Sequence, residues 1–273
     1  MATVIPKSVI VTGGASGIGL TMSRHFASQG HRVAILDINA ESGHGIATEI
    51  ASEFPESTVS FRKCDVSSWD EQAAAFKAIF HEHGGSIDIV MANAGVSEQG
   101  STTAVDLAEM DEPLPPKLGT IQINLMGTIY SVKLAVHYMR KNERKGGSIF
   151  CTASNAGLYP FPIAPLYAAS KFGVIGLVRS LARVVAKSNI QINALAPAVL
   201  ATNIAPDKAL FENMIMTPMA TIIKGISQLL EDPSLNGQVA EIHGDSVTLR
   251  PHHEFVDADS EKNLETFWNL GYA

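Results

Sequence analysis

The sequence predicts a single α/β domain built as a doubly wound parallel sheet of about seven strands with helices on both faces. Three observations predict it. Short apolar, β-branched runs alternate with amphipathic helical patterns along the chain. The first run, Val9-Ile10-Val11-Thr12, passes directly into the glycine-rich turn Gly13-Gly14-Ala15-Ser16-Gly17-Ile18-Gly19, and a helical pattern starts at once. Polar residues (Thr12, Asp37, Asp65, Asn93, Ser154 and Thr202) stand at or just beyond strand ends, where open parallel sheets hold their ligands.

The elements follow in order. Residues 8–12 read as the first strand. Residues 17–29 read as a helix with Ile18, Met22, Phe26 and Ala27 on one stripe and Gly30 as its stop. A second strand over 31–37 ends in an acid, and an alanine-rich helix over 40–52 is closed by Pro55. Thr58 to Cys64 is a third strand. Ser68 is the expected N-cap of the next helix, with Glu71 at the capping-box position, and Gly84-Gly85 ends it. Residues 87–91 form a fourth strand leading into Asn93-Ala94-Gly95. The stretch 96–116, broken by Gly100, Pro113, Pro115 and Pro116, reads as a surface excursion. One long helix is expected over 118–142, a fifth strand over 148–152, and a helix over 166–187 after a proline-rich loop. A sixth strand covers 190–195, a loop with a short helix 198–215, a helix 218–231 and a short seventh strand 238–242. The domain is expected to span 1–273, with its core over about 8–245 and a polar, partly aromatic tail over 246–273.

Bulk properties narrow the function. The chain has 273 residues, of which 46% are hydrophobic and 17% charged, an ordinary globular balance. A net charge of −7 argues against a nucleic-acid partner, which would call for a basic face. No apolar run reaches the roughly 18–20 residues of a membrane span, and the first residues lack the order of a signal peptide. A cytoplasmic location is therefore expected. Cys64 and Cys151 fall in or beside strand-like runs and read as buried free thiols, and the nine histidines show no metal-ligand spacing. No metal is expected.

The glycine turn, with Gly13, Gly17 and Gly19, can bring a pyrophosphate to the positive end of a helix, where Ser16 and Ile18 also lie. Asp37 can accept hydrogen bonds from both adenosine ribose hydroxyls and repels a 2′-phosphate. Neither Ser16 nor Ile38 offers a positive charge to such a phosphate, so NAD is the expected cofactor. Asp65 and Val66 can meet an adenine edge; an ordinary helix cap is the rival role, and both can hold together. Asn93 and Gly95 allow backbone to approach a ribose. Tyr167-Ala168-Ala169-Ser170-Lys171 puts a phenol and an ammonium on one helix face. An ammonium held there lowers the phenol pKa and makes it a general base near neutral pH.

Taken together these motifs resemble the short-chain dehydrogenase/reductase family, a Rossmann-type group. The matching residues are Thr12-Gly13-x-x-x-Gly17-x-Gly19, Asp37, Asp65, Asn93-Ala94-Gly95, Asn124, Ser154, Tyr167-x-x-x-Lys171, and Pro197 with Thr202. They run in the family's order from about residue 8 to 245, and Asp37 and Ser154-Asn155-Ala156-Gly157-Leu158 are most similar to its NAD-dependent, hydroxyprostaglandin-dehydrogenase-like branch. The resemblance implies that Tyr167 exchanges the substrate proton and that Lys171 holds the nicotinamide ribose and lowers the Tyr167 pKa. It implies that Ser154 polarises the substrate oxygen and that Asn124 positions a water in a proton relay, where a helix-packing amide is the rival role. Pro197, Val199 and Thr202 would line the nicotinamide carboxamide.

Three departures from the family pattern stand out. Ala92 replaces an Asn, Ala198 replaces a Gly, and the stretch from Asn93 to Asn124 is slightly long. On the substrate side, Tyr159, Phe161 and Met214, with Ile204, Leu210 and Phe211, are expected to edge a pocket for a bulky apolar secondary alcohol or ketone, or else to pack under a loop or at a dimer seam. The aromatic end (Phe267, Trp268, Tyr272) is expected to dock on the domain, cover the pocket or meet a partner subunit. The resemblance implies a homodimer or homotetramer built on the long helix and the Tyr167 helix. Two other functions remain open at this level: an NAD(P)H-dependent ketone reductase of a biosynthetic pathway, and a cofactor-binding regulator without turnover.

Overall fold

In the computed structural model, which describes residues 5–98, 112, 115–202 and 214–271, the first strand shows why its sequence is continuously apolar. All five residues of β1 (Ser8–Thr12) are buried. Ile10 enters the apolar layer on one face of the sheet, and Val9 and Val11 enter the layer on the other. A strand covered on both sides has no polar face to show.

Around it lie β2 (Arg32–Asp37), β3 (Thr58–Lys63), β4 (Ile89–Ala92), β5 (Gly147–Thr152), β6 (Ile190–Pro197), β7 (Val239–His243) and β8 (Ser246–Arg250). Their order in the sheet is β3-β2-β1-β4-β5-β6-β7-β8. The first seven strands are parallel to their neighbours and β8 is antiparallel to β7. The chain order reverses between β1 and β4, so a crevice opens beyond their carboxyl ends.

One face carries α1 (Gly17–Ser28), α2 (Ala40–Glu53) and α7 (Met219–Glu231), through Met22, Phe26, Ile50, Ile222 and Ile226. The other carries α3 (Trp69–Glu82), α5 (Gly127–Met139) and α6 (Pro165–Ala186), through Phe76, Ile79, Val132, Met139, Val174 and Val178. This is the doubly wound architecture that the alternating pattern predicts. A short helix, α4 (Gly119–Ile121), precedes α5. The C-terminal α8 (Ala258–Asn269) has no buried residue and lies against α6, where Arg183 pairs with Glu265 and, with Lys187, stands over the Trp268 ring.

Three expectations change. The sheet has an eighth strand: residues 246–250, read from the sequence as the start of the tail, return along β7 in register from His243↔Ser246 to Val239↔Arg250. The signal is the two-residue connection Gly244-Asp245, a hairpin turn with Gly244 at φ +49°. The long helix expected over 118–142 is not uniform, because residues Gln122–Met126 form a π-helical turn between α4 and α5, and α5 ends at Met139. The capping box at α3 is incomplete. Ser68 Oγ accepts from Glu71 N–H at 3.3 Å, but the Glu71 carboxylate accepts from Asp65 N–H at 2.9 Å and not from Ser68.

Candidate active site

The site starts at the glycine turn. Gly13 has φ +62°, and a Cβ there would stand 2.9 Å from Ala94 Cα, so only glycine lets the turn lie against the segment leaving β4. A Cβ on Gly19 would stand 2.0 Å from Gly13 O, so glycine is what lets α1 begin directly against the turn. Ser16 is the N-cap of α1, yet its side chain makes no capping hydrogen bond. Side-chain capping therefore does not occupy the N–H groups of the first turn, and their donor chemistry fits an anionic pyrophosphate. Ile18 turns inward and packs on the layer of Met22 and Phe26. Thr202, beyond β6, comes to the same turn, its Cγ2 lying 3.4 Å from where a Gly17 Cβ would be.

Asp37 ends β2 beside this turn. Its Oδ2 accepts from Ala15 N–H and its Oδ1 from Asn39 N–H, both at 3.1 Å. Asp65, just beyond β3, has one carboxylate oxygen engaged by Ser67 N–H and Oγ, at 2.9 and 2.7 Å. Val66 is buried against Gly127, where an added Cβ would meet its Cγ2 at 3.0 Å. Asn93 ties three strands together. Its backbone N–H donates to Thr12 Oγ1 (2.9 Å), its Nδ2 donates to Thr12 O (3.1 Å), and its Oδ1 accepts from Thr152 Oγ1 (3.0 Å). Beyond β6, Ala198 N–H donates to Ile242 O and Thr217 N–H to Val199 O, so the loop after Pro197 is fastened at both sides.

Four side chains converge past β5. Ser154, nearly buried, opens a 3₁₀ turn over Asn155–Gly157, and its Oγ accepts from Ala156 N–H at 3.1 Å. Tyr167 and Lys171 lie one turn apart on α6, with the Lys171 Nζ 5.6 Å from the Tyr167 ring centre. The Ser154 hydroxyl donates to Asn155 Oδ1 at 3.2 Å and lies near enough to the Tyr167 phenol to favour its ionised form. Lys171 is 2% exposed and its Nζ donates to Thr152 O at 2.8 Å. Asn124 sits in the π-helical turn, fully buried, and its Nδ2 donates to Ser170 Oγ at 3.2 Å. Gly95 lies between Asn124 and Lys171: a Cβ there would be 3.2 Å from Asn124 Oδ1 and 3.4 Å from Lys171 Nζ.

The electrostatics correct one expectation. Burial raises the Tyr167 pKa above the ordinary phenol value, and the Ser154 hydroxyl pulls the other way. The lowering expected from Lys171 is not part of this balance. Burial pushes the lysine's own pKa down to about 8, because a dry ammonium is costly unless paired. Cys151 beside it is driven up to about 12 by burial, as is Cys64, so both are unreactive free thiols.

The sequence model of the short chain dehydrogenase family matches residues 7–213. The chain belongs to that family. Among its relatives is the short-chain dehydrogenase/reductase prx4 of Penicillium roqueforti, 40% identical over 200 residues, which are 73% of this chain and 56% of that protein. This chain thus spans little more than half the length of that relative. The NAD(+)-linked 15-hydroxyprostaglandin dehydrogenase of Rattus norvegicus is 31% identical over 86% of this chain and 90% of its own length. Similar folds include levodione reductase (TM-score 0.76, 27% identity, 87% of this chain and 96% of that one). They also include the NADPH-dependent 3-quinuclidinone reductase of Rhodotorula rubra (TM-score 0.73, 26% identity, 88% and 90%).

The rim residues expected from sequence separate. Phe161 stays at the centre, its ring 6.2 Å from that of Tyr167. Tyr159 is drawn elsewhere: its hydroxyl donates to Glu241 on β7 at 3.1 Å, and Arg250 stands over its ring. Met214 is 44% exposed, while Ile204, Leu210, Phe211 and Tyr272 lie outside the described residues. One residue escapes sequence reasoning. Glu98 Oε2 accepts from the backbone N–H groups of Leu166 and Tyr167, at 2.9 and 3.2 Å. A lone acid at the start of an irregular stretch carries no short-range signal for such a contact.

Proposed function

We propose that this chain is an NAD-dependent oxidoreductase that interconverts a secondary alcohol and a ketone on a bulky, apolar substrate. The carrying observation is the buried Lys171 ammonium 5.6 Å from the Tyr167 ring centre, one helical turn behind it, with the buried Ser154 hydroxyl bearing on the same phenol. A hydroxyl, a phenol and an ammonium at one point are what alkoxide chemistry needs.

Tyr167 takes the alcohol proton in oxidation and returns it in reduction. Ser154 donates to the substrate oxygen as charge develops there. Lys171 holds the ribose hydroxyls beside the phenol. Asn124 supports a water relay behind Lys171. NAD, when bound, would supply the redox chemistry as the acceptor of a hydride. Gly13, Gly17 and Gly19 would hold its pyrophosphate, Asp37 its adenosine ribose, Asp65 its adenine edge, and Pro197, Val199 and Thr202 its carboxamide. Phe161, against Tyr167, would contribute an apolar wall. The NAD-linked relative supports the choice of cofactor, and Asp37 at the end of β2 supports it independently.

The test mixes the protein with NAD and a panel of apolar secondary alcohols and follows the absorbance of the reduced nicotinamide, with Tyr167→Phe as the control. Turnover that disappears in the variant is expected. No turnover on any alcohol, or full activity in Tyr167→Phe, removes this reading. A ketone-reductase reading has the NADPH-dependent structural neighbour in its favour. Tighter binding of NADPH than of NADH would select it. Exposed Phe172 and Met126, on α6 and the π-helical turn, suit a subunit seam there, and light scattering should return a dimer or tetramer.

A further inference from the structure

We propose that Glu98 is a positioning residue for Tyr167, fixing the phenol by holding the first turn of its helix from the segment that leaves β4. The proposal rests on the reading of Tyr167 as the acid–base group.

The first N–H groups of any α-helix lack acceptors within the helix and are usually served by a local Ser, Thr, Asp or Asn. α6 has none. Its N-cap is Ala164, which offers no side-chain acceptor, and Pro165 follows. The acceptor comes instead from a carboxylate 68 positions away in sequence. One oxygen, Oε2, receives both Leu166 N–H and Tyr167 N–H, so the backbone of the catalytic residue itself is held. The other oxygen, Oε1, is enclosed and has no hydrogen-bond partner among the described residues. The hold on α6 is therefore the only polar role this carboxylate plays among them.

The placement of Glu98 makes the contact more than a cap. It lies on the stretch that leaves β4 through Asn93, Ala94 and Gly95. Two residues earlier, Val96 exchanges two hydrogen bonds with Asn124, at 2.8 and 2.9 Å. Gly95 abuts both Asn124 Oδ1 and Lys171 Nζ. A single short segment thus sets the amide, the ammonium and the phenol against one another. Its near end is pinned to the sheet through Thr12 and Thr152, and its far end reaches α6 through Glu98. The preceding loop offers the first turn no side-chain acceptor, and its Ile163 is exposed. Without Glu98 the first turn frays and the phenol loses its alignment with Ser154.

The experiment compares wild type, Glu98→Ala, Glu98→Asp, Glu98→Gln and Tyr167→Phe, using NAD and the best secondary alcohol of the panel. Glu98→Asp keeps the charge but shortens the reach, and Glu98→Gln keeps the reach and an acceptor oxygen without the charge. Positioning predicts that Ala and Asp lower kcat by about tenfold or more, since small misplacements of a reacting group are costly. KM for NAD should move less than kcat, because Glu98 contacts neither the glycine turn nor Asp37, which would hold the pyrophosphate and the adenosine ribose. The deuterium isotope effect on kcat should rise as the chemical step becomes limiting, and Gln should recover most of the rate. Amide exchange over residues 166–168 of the cofactor-free protein should quicken in Ala and Asp. Wild-type kcat and isotope effect in both Ala and Asp, with Tyr167→Phe inactive, would overturn the role of Glu98 and leave the reading of Tyr167 standing. Full activity in Tyr167→Phe would overturn both. If Ala does not fold, Asp against Gln decides the matter by the same measurements.

Discussion

Asn124 and Val96 exchange a closed pair of hydrogen bonds: Val96 N–H donates to Asn124 Oδ1 at 2.8 Å, and Asn124 Nδ2 donates to Val96 O at 2.9 Å. The side chain thereby substitutes for a neighbouring strand where the chain has left the sheet. The π-helical turn that carries Asn124 aims it at this job, and such turns gather at functional sites. Both roles expected for Asn124, packing amide and relay member, are compatible with this geometry. Asn124→Ala leaves a buried N–H and carbonyl unserved, so it should cost roughly 1–3 kcal/mol of stability. It should also lower kcat more than it raises KM for NAD. Denaturant melts beside initial rates check both; an unchanged melt would contradict the structural half.

Lys171 should cost the empty protein stability. Burial holds its pKa near 8 instead of the ordinary 10.5. Below about 8 both folded and unfolded chains carry the charge, and the full penalty applies. As pH rises from about 8 to about 10.5 the folded state sheds its proton first and the penalty fades. The gap corresponds to roughly 3 kcal/mol, and the Thr152 carbonyl left unpaired in a Met variant gives back about 1–2. Lys171→Met should therefore raise the Tm of the cofactor-free protein by roughly 2–4 °C near neutral pH, with activity lost. A lower Tm for the variant would show that the hydrogen bond outweighs burial.

Asp37 bridges the end of β2 to the glycine turn through Ala15 N–H. If its carboxylate also receives a ribose, Asp37→Ala should weaken NADH binding by roughly tenfold to a hundredfold, the value of one or two charge-assisted hydrogen bonds. NADPH binding should weaken less or improve. Fluorescence titration with both cofactors reads the ratio, and an unmoved ratio would remove Asp37 from the selection.

His83 predicts an acid-sensitive fold far from the site. It is 4% exposed, its Nδ1 lies 2.7 Å from Ser8 Oγ, and Arg32 donates to its carbonyl. Burial first, and the Arg32 charge second, push its pKa down from 6.5 to about 4. The folded state therefore favours the neutral ring. Its contribution is fully present above about pH 6.5 and is lost as pH falls through about 4, where the unfolded chain has long since bound the proton. Loss of roughly 3 kcal/mol over that window is expected. Urea melts from neutral pH down to about 4 should show a shallower fall in His83→Gln than in wild type; parallel curves would assign the acid sensitivity elsewhere.

The fold is legible because its signal is local and repeated. The runs Val9 to Val11 in β1 and Val33 to Leu36 in β2 declare buried strands by themselves, and Gly13, Gly17 and Gly19 declare a turn onto a helix. The hairpin at Gly244-Asp245 carries an equally local signal, obscured by the polar residues that follow and read as a tail. The π-helical turn at Gln122–Met126 has no signal, since the same apolar stripe suits an uninterrupted helix.

The candidate site is legible in its residue types and not in its partners. The chain alone determines a parallel sheet with Thr12, Asp37, Asn93 and Ser154 at strand ends, and Tyr167 and Lys171 on one helix face, because hydrophobic period and helical spacing depend only on near neighbours. Tertiary structure decides that Glu98 serves the helix of Tyr167, that Tyr159 turns away to Glu241, and that burial raises the Tyr167 pKa while it lowers that of Lys171. Hydrogen-bond partners remote in sequence, and the water lost from a charged group, exist only once the elements have packed.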